Sequence, residues 1–462
     1  MRTLVLILCA LLLAACQGLP AGEVPQPSAT PQPSQTPTPL PTATATITPT
    51  PGWLVPESDL RGRSVTFWHP WVGAAASQVQ DLAGEFTRDN PWGIRVEAVS
   101  YGGAYALHGA VLAAPGAGGL PAVVAAQPEQ IAVWQAQSGL VADLNGYLSD
   151  PTWSSAAPVF PNFWQGGQVD GARISVPAER DTALLFYNQG WAQELGFAGP
   201  PATPEEFRQQ ACAAFTALLN DNTVENNGMG GMILNGEALT VLSWMYAFGA
   251  PEMQTAGADY RFEGEPTAAA LAFVRALLDE GCAWRSRLPA PYEYFANRQA
   301  LFYAGSLEDV EPQTLAQARL GKQDDWTVLP FPQGPGGSGP LSSGLNYAVF
   351  RAEPSEQLAA WAFIRWMMEP EQQSRLAAVN GRLALSKPAA ERLAEYGRTH
   401  PQWLAAQALA DSTLDAPDQA AWRTVQHLLE DAAWMALQPN VKPEQIPEIL
   451  TQLDGMVAEI IP

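Results

Sequence analysis

Residue types that build catalytic and metal sites are scarce in this chain of 462 residues. It has four cysteines and four histidines. It contains no HExxH, GxSxG or Walker motif, and no Cys or His cluster is spaced for zinc. The sequence therefore predicts no catalytic residue, no metal and no other cofactor. A glycosidase needs only two carboxylates, which any acidic chain supplies, so a secreted carbohydrate-active enzyme remains the alternative.

Positive charge and long apolar runs are also in short supply. The chain has 24 Lys and Arg against 46 Asp and Glu, which gives a formal net charge of −22. This balance argues against nucleic acid and against an anionic membrane surface as partners. No run after Cys16 reaches the ~20 apolar residues that a membrane-spanning helix needs. Any membrane attachment is therefore expected to come from a lipid anchor alone.

The N-terminus has the features of an export signal. Arg2 precedes an apolar run from Leu4 to Leu13, and two alanines and Cys16 follow. The stretch Leu13–Cys16 resembles the lipobox of bacterial lipoproteins. The resemblance implies a signal peptide over residues 1–15, acylation of Cys16, and a lipid-anchored protein at the extracytoplasmic face of the cell membrane. An ordinary secretory signal with an incidental cysteine is the alternative.

A tether is expected after the anchor. No charged residue occurs between Glu23 and Glu57, and Pro and Thr dominate from Pro25 to Pro51. Such a segment has too little apolar side chain to fold and favours extended polyproline II conformations. Residues 16–58 are therefore predicted to be a disordered tether, which could span up to ~100 Å at ~3 Å per residue. A structural or adhesive lipoprotein would carry the same anchor and tether.

Two cysteines remain for the exported domain, because Cys9 lies in the signal and Cys16 is the acylation site. An even pair in an oxidising compartment indicates a disulfide between Cys212 and Cys282. Two unpaired thiols are the alternative, since sequence does not show that the two side chains meet.

Strands and helices alternate along residues 59–462. Val65–Trp68 is predicted to be a strand, Ala74–Thr87 a helix and Ile94–Val99 another strand. Thr203 followed by Pro204 is typical of a helix start. The rhythm predicts an α/β fold in which a mainly parallel sheet is flanked by helices.

Several segments carry a resemblance to a known family. They are Val65–Trp71, Val176-Pro177 with Leu184–Asn188, Pro201–Phe207, Phe295–Gly305, Trp326–Pro332 and Trp361–Gln372. In this order they resemble extracellular solute-binding protein family 1, the lipid-anchored sugar-binding components of ABC importers. The resemblance implies a two-lobed periplasmic-binding-protein-like fold of type II, with the ligand in the cleft between lobes. It also implies a small-molecule solute, a sugar, and the transmembrane subunits of an ABC permease as partners; we expect a monomer.

The lobes are expected to share the chain in alternating pieces. Lobe 1 is assigned to residues 63–175 and 299–328, and lobe 2 to residues 182–298 and 350–462. The lobes would meet near Ile174–Asp181, Trp326–Phe331 and Asn346–Tyr347. We expect these short segments to act as a hinge when the cleft closes.

Candidate ligand-binding residues are aromatic or polar side chains near the ends of the predicted elements. A sugar presents an apolar C–H face and a rim of hydroxyls, so its site needs flat aromatic rings and planar polar groups. The candidates are Trp68, His69, Trp71, Tyr101, Gly103, Gln127, Glu129, Glu179, Arg180, Asp181, Trp244, Tyr246, Tyr303, Ser306, Asn346 and Tyr347. Core packing is the alternative role for each aromatic. An amine ligand would need clustered carboxylates and an anion several arginines, and the sequence offers neither clearly.

Overall fold

The first strand, β1 (Ser64–His69), alternates between buried and more exposed side chains, and Val65, Phe67 and His69 are the buried ones. The structure is a computed structural model that describes residues 55–117, 119–154, 159–251, 253, 260–288 and 290–461. The predicted lipidation site Cys16 and most of the predicted tether lie outside these residues. Val55 already packs against the core, so folded structure begins before the expected boundary at residue 59. None of the described helices is long and apolar enough to cross a membrane.

Further strands follow β1 within the described residues. They are β2 (Arg95–Ser100), β3 (Val123–Ala126), β4 (Gln168–Val169), β5 (Ala172–Arg173), β6 (Val176–Asn188), β7 (Gly230–Ile233), β8 (Ala283–Trp284), β9 (Ala300–Ser306), β10 (Trp326–Leu329), β11 (Leu341–Val349) and β12 (Leu414–Asp415). All except the β4–β5 hairpin belong to one sheet, whose central order is β2-β1-β3-β11-β6-β9-β7-β8.

The sheet has two parallel ends joined by antiparallel strands. β1 pairs in parallel with β2 and β3 at one end, and β7 pairs in parallel with β8 and β9 at the other. The long strand β6 joins them: its residues 176–182 pair with β11, and its residues 183–188 pair with β9 and β10. β6 is therefore the strand that passes from one half of the molecule to the other.

Helices cover both halves of the sheet. They are α1 (Gly73–Asp89), α2 (Ala104–Ala117), α3 (Pro128–Ser138), α4 (Asn145–Ser149), α5 (Gln189–Glu194), α6 (Pro204–Leu219), α7 (Ala238–Ala247), α8 (Glu265–Asp279), α9 (Tyr292–Ala296), α10 (Val310–Arg319), α11 (Pro354–Met367), α12 (Pro370–Asn380), α13 (Lys387–Arg392), α14 (Ala394–Thr399), α15 (Pro401–Gln407), α16 (Trp422–Ala436) and α17 (Ile446–Ile460). Short 3-10 turns occur at Glu57–Leu60, Pro161–Trp164, Val224–Asn226, Leu307–Asp309, Ala410–Ser412 and Pro443–Gln445.

Local sequence fixes the start of α6 as predicted. The Thr203 hydroxyl accepts a hydrogen bond from the Glu206 N–H, and the Glu206 side chain returns to the Thr203 N–H. This capping box satisfies two backbone donors that would otherwise have no partner inside the helix. Pro204 occupies the first turn, where a missing N–H costs nothing.

The predicted disulfide is confirmed. Cys212 in α6 and Cys282 are bonded, with their Cα atoms 4.5 Å apart. Cys282 lies just after α8, directly before β8, and not within the helix. The bond ties α6 to the edge of the β7–β8 end of the sheet.

Two segments sit on the other half of the sheet from the one expected. β9, expected in lobe 1, pairs with β7 of the opposite half. α11, expected in lobe 2, packs on β1, where the rings of Phe363 and Phe67 lie 5.4 Å apart. Both differences arise because the order of elements predicts that strands and helices exist, whereas long-range packing decides which half they cover. The lobe bounds themselves stay a prediction.

We predict that removing the disulfide by Cys212→Ala together with Cys282→Ala lowers the free energy of unfolding by about 2–4 kcal/mol. The bond closes a loop across a sequence separation of 70 residues, and opening that loop restores chain entropy to the unfolded state. Urea denaturation measures the change. Wild-type protein unfolded in reductant is the control and should lose a similar amount; coincident curves for all samples would contradict the prediction.

Candidate functional site

Three consecutive charged residues are buried in the middle of β6. Glu179 is 9% exposed, Arg180 2% and Asp181 8%. Buried charges are costly unless each is paired or hydrogen-bonded. The surrounding elements therefore must supply partners to this point of the strand.

Arg180 is held by groups from distant parts of the chain. Its Nε donates to Asp415 Oδ1 at 3.1 Å, and its Nη1 donates to Asn346 Oδ1 at 2.9 Å. The same Nη1 also donates to the carbonyls of Glu179 and Leu345. The guanidinium thus joins β6, β11 and β12 at the crossing of the sheet.

Asp181 is satisfied by groups from several elements. Its Oδ2 accepts from Arg382 Nη1 at 2.8 Å and from Ser306 Oγ at 3.0 Å. Its Oδ1 accepts from the backbone N–H groups of Thr182 and Leu307. A second nitrogen of Arg382 reaches Glu308 at 3.0 Å. This carboxylate is therefore fully engaged by protein groups.

Glu179 has neutral partners. Trp71 Nε1 donates to its Oε2 at 2.8 Å, and Asn380 Nδ2 donates to the same oxygen at 2.9 Å. Burial raises the pKa of the Glu179 carboxyl, and the charge of Arg382 opposes the rise. Trp71 thus supports the site through its N–H group.

Close approach of β6 and β11 depends on a glycine. Gly344 lies opposite Arg180 in the register. A Cβ on Gly344 would come within 2.2 Å of the Glu179 carbonyl oxygen, a distance that a side chain cannot occupy. The absent side chain therefore lets the two strands approach each other closely.

A cavity of about 210 Å³ opens at this crossing. Polar and charged side chains from both halves of the sheet dominate its lining. The residues are Gln127, Pro128, Glu129, Gly166, Glu179, Arg180, Asp181, Leu239, Glu308, Ser342, Ser343, Gly344, Leu345, Asn346, Arg382, Asp415, Ala416, Pro417, Asp418, Trp422 and Gln426.

Two further carboxyl groups face this cavity. Glu129 stands in the first turn of α3, after the carboxyl end of β3, and Asp418 lies in the segment before α16. Burial raises the pKa of Glu129 to about 7, and the charge of Asp418 adds to the rise. Burial also raises the pKa of Asp418 to about 7, against the hydrogen bond that the Gly167 N–H donates to it at 2.6 Å. Asp415 reinforces this shift and Arg180 opposes it.

One aromatic side chain reaches the cavity among the described lining residues. Trp422 begins α16, is 1% exposed, and stacks on Tyr260 with ring centroids 5.7 Å apart. Burial, followed by the charges of Asp418 and Glu129, raises the pKa of Tyr260. The indole is therefore fixed in place beside the two carboxyl groups.

The structure brings six of the predicted residues into the cavity lining. They are Gln127, Glu129, Glu179, Arg180, Asp181 and Asn346. Two more do not line the cavity but donate hydrogen bonds to residues that do: Trp71 donates to Glu179, and Ser306 donates to Asp181. Their position follows from the crossing of β6 and β11 and from the turn after β3.

The remaining candidates do not line the cavity. Trp68 packs on Tyr101, with ring centroids 4.7 Å apart, and Gly103 directly precedes α2. Burial lowers the pKa of His69 to about 4, so the ring is neutral. Trp244, Tyr246, Tyr303 and Tyr347 are each at most 2% exposed and belong to apolar cores. These four rings are core residues, whereas Trp68 and Tyr101 are only partly buried.

Several lining residues were missed by sequence reasoning. They include Glu308, Arg382, Asp415, Asp418 and Trp422, which all lie in the later part of the chain. The available signal was the run Asp415-Ala416-Pro417-Asp418, where two acids flank a proline between helices. Polar loop residues of this kind often carry function.

The fold and the cavity together define a two-lobed α/β binding protein. The model of the bacterial extracellular solute-binding protein family matches residues 81–410. The chain belongs to this family, which confirms the predicted resemblance. Comparison with curated protein sequences gave no significant match.

Solved structures with the same fold come from several bacteria. The cyclic alpha-maltosyl-1,6-maltose binding protein of Arthrobacter globiformis has a TM-score of 0.70 and 20% identity, covering 86% of this chain and 99% of that chain. The sugar-binding protein MalE of Xanthomonas citri has a TM-score of 0.72 and 22% identity, covering 86% and 98%. UgpB of Mycobacterium tuberculosis, in complex with glycerophosphocholine, has a TM-score of 0.65 and 17% identity, covering 86% and 98%. At these identities the likeness establishes the fold.

We predict that Glu129→Gln stabilises the ligand-free protein at about pH 8 by up to ~3 kcal/mol and has little effect at about pH 5. The pKa of Glu129 is raised to about 7 in the folded state, so the folded protein binds more protons than the unfolded chain between the two pKa values. Stability must then fall as pH rises through that window. The uncharged glutamine removes this loss.

Urea denaturation at both pH values measures the effect. Asp411→Asn, an exposed acid outside the cavity, is the matched control and should behave as wild type at both. Near Glu129 and Asp418, the other charged groups are Asp415, Arg180 and Arg173, and Tyr260 lies close to both carboxyl groups. An equal effect of Glu129→Gln at both pH values would show that this carboxyl titrates normally.

Proposed function

We propose that this protein binds a sugar in the cavity beside β6 and β11 and delivers it to the transmembrane subunits of an ABC importer. The main observation behind this proposal is the composition of the cavity. Its carboxylates, arginines, and the amides of Gln127, Asn346 and Gln426 suit the hydroxyl rim of a sugar, and Trp422 suits its C–H face. The volume of about 210 Å³ favours a small saccharide over a long chain.

The family relatives support a sugar but do not fix it. Proteins of this fold from Arthrobacter globiformis and Xanthomonas citri bind sugars, whereas UgpB was solved with glycerophosphocholine. A shared fold carries different ligands because specificity resides in the side chains of the site. The ligand class proposed here therefore rests on the cavity of this chain.

The cavity is lined from both halves of the molecule, which suits capture by closure. Gln127 and Glu129 follow β3 of one half, while Leu239 and Gln426 belong to α7 and α16 of the other. A ligand that contacts both sides stabilises the arrangement in which they are close. We infer that β6 and β11, which cross between the halves, take up the backbone change of this hinge.

We infer binding without chemical conversion. The support for this inference is the family match, since the family consists of solute-binding proteins. A glycosidase would release products from labelled oligosaccharides in a turnover assay. An adhesive or scaffold lipoprotein would bind none of a panel of small solutes.

We predict that Trp422→Ala lowers the affinity for a sugar found by thermal-shift screening by about 10-fold or more, because a buried aromatic contact is worth ~1–3 kcal/mol. Isothermal titration calorimetry measures the affinity. Trp434→Ala, which removes a 59% exposed indole outside the cavity, is the matched control and should bind as wild type.

Folding of the Trp422 variant is checked by its ligand-free melting temperature, and Trp422→Phe keeps an aromatic ring at the same place. Unchanged affinity in Trp422→Ala would place the sugar elsewhere. Steady product release by the wild-type protein would favour the enzyme.

We also propose that Cys16 anchors the protein by its acyl chains at the extracytoplasmic face of the membrane. Cys16→Ala should appear in the medium or as an uncleaved precursor, since each buried CH₂ of the chains contributes ~0.8 kcal/mol to membrane binding. Cell fractionation with mass spectrometry of the N-terminus distinguishes these forms. Cys9→Ala, within the predicted signal, is the control and should stay anchored; full membrane retention of Cys16→Ala would refute the anchor.

A further inference from the structure

Negative charge exceeds positive charge around the cavity. Its lining contains six carboxyl groups and two guanidinium groups. The carboxyl groups belong to Glu129, Glu179, Asp181, Glu308, Asp415 and Asp418, and the guanidinium groups to Arg180 and Arg382. The clustered carboxylates that an amine ligand would need, which the sequence did not reveal, are therefore assembled by the fold.

Both arginines are already engaged by part of this set. Arg180 forms an ion pair with Asp415 at 3.1 Å. Arg382 forms ion pairs with Asp181 at 2.8 Å and with Glu308 at 3.0 Å. Three of the six carboxylates are thus ion-paired, although the two guanidinium groups balance only two of those three charges. The other three, Glu179, Glu129 and Asp418, have no ion pair within the described part of the chain.

Glu179 differs from the other two because neutral donors satisfy it. Trp71 and Asn380 both donate hydrogen bonds to its Oε2. These two hydrogen bonds hold the carboxyl group in place. Glu129 and Asp418 are therefore the cavity carboxyl groups that have neither an ion pair nor a side-chain hydrogen-bond donor within the described residues.

Asp418 is nine-tenths buried and only half satisfied. It is 6% exposed; its Oδ2 accepts from the Gly167 N–H at 2.6 Å, and its Oδ1 has no hydrogen-bond partner among the described residues. Glu129, which is 9% exposed, faces the same cavity. A buried polar atom without a partner costs free energy, and this one belongs to a residue that lines the cavity, which points to a group supplied from outside the chain.

The electrostatic state of the pair points to the charge of that group. Burial raises both carboxyl pKa values to about 7; the charge of Asp418 adds to the rise at Glu129, while Asp415 reinforces the rise at Asp418 and Arg180 opposes it. A cation between them would lower both pKa values and relieve the repulsion. A neutral ligand could offer hydrogen bonds but would leave the charges uncompensated.

We propose that the solute is a saccharide that carries an ammonium group, and that this group is held between the carboxylates of Glu129 and Asp418 beside the Trp422 ring. This inference rests on the proposed sugar-binding function and adds the charge of the ligand. The indole suits an ammonium group or the C–H face of the attached ring.

Calorimetric titration of matched pairs at neutral pH tests this. The pairs are glucosamine with glucose, galactosamine with galactose, and unacetylated chitobiose with N,N′-diacetylchitobiose; spermidine is the amine without a sugar ring. The amine of at least one pair should bind at least ~10-fold more tightly than its neutral partner, as expected for an ion pair in a buried site. Asp418→Asn should reduce that preference by a similar factor.

Matched variants separate charge from folding. Asp411→Asn removes the same charge from an exposed position near Asp418 in the chain and should keep the preference. Glu129→Gln is the second cavity variant, which tests the pair if Asp418→Asn loses its contact with Gly167 and fails to fold. The ligand-free melting temperature reports folding in each case.

The outcomes distinguish the two proposals. Equal affinity for the amine and neutral members of every pair overturns the ammonium inference and leaves sugar binding standing. Binding of spermidine with no binding of any saccharide overturns the sugar and supports ammonium recognition. Absence of binding by every probe overturns both.

Discussion

Burial of charge in the middle of β6 is the constraint on which the site depends. Glu179, Arg180 and Asp181 stand side by side in a strand whose other residues are mostly apolar and buried. Because an uncompensated buried charge is strongly unfavourable, the fold must bring partners from far along the chain. Asp415, which pairs with Arg180, is 235 residues away. The segment before α16 is thereby drawn to the strand that joins the two halves.

The cavity is a consequence of this arrangement. Partners of the three charged residues come from β11, from the segment after α12 and from the β12 region, and they line the cavity. Most of the charges are fixed by ion pairs before any ligand arrives. Such preorganisation lowers the entropic cost of binding, since few lining groups must be ordered by the ligand. In our proposal, the carboxyl groups left without an ion pair determine which ligand is selected.

Site residues could be predicted from the sequence where a charged residue interrupts an otherwise apolar strand or follows one directly. Arg180 and Asp181 in a buried strand, and Glu129 after β3, have no role in an apolar core, and all three line the cavity. Aromatic candidates carried no such conflict. Trp244 packs against Phe207 and Phe331 within a core, because a ring beside a helix end is equally suited to packing and to ligand contact. Trp422 had the same ambiguity, and only its neighbours in space distinguish it.

The sequence by itself determined the strand and helix rhythm, the capped start of α6, the family and the pairing of Cys212 with Cys282. These depend on local spacing, on segment order or on cysteine number, all of which are properties of the linear chain. The tertiary structure alone decided that α11 covers β1, that β9 joins β7, and that Asp418 and Glu129 line the same cavity. Such contacts join residues far apart in sequence, and their choice depends on which packing buries the most apolar surface while leaving each buried charge a partner.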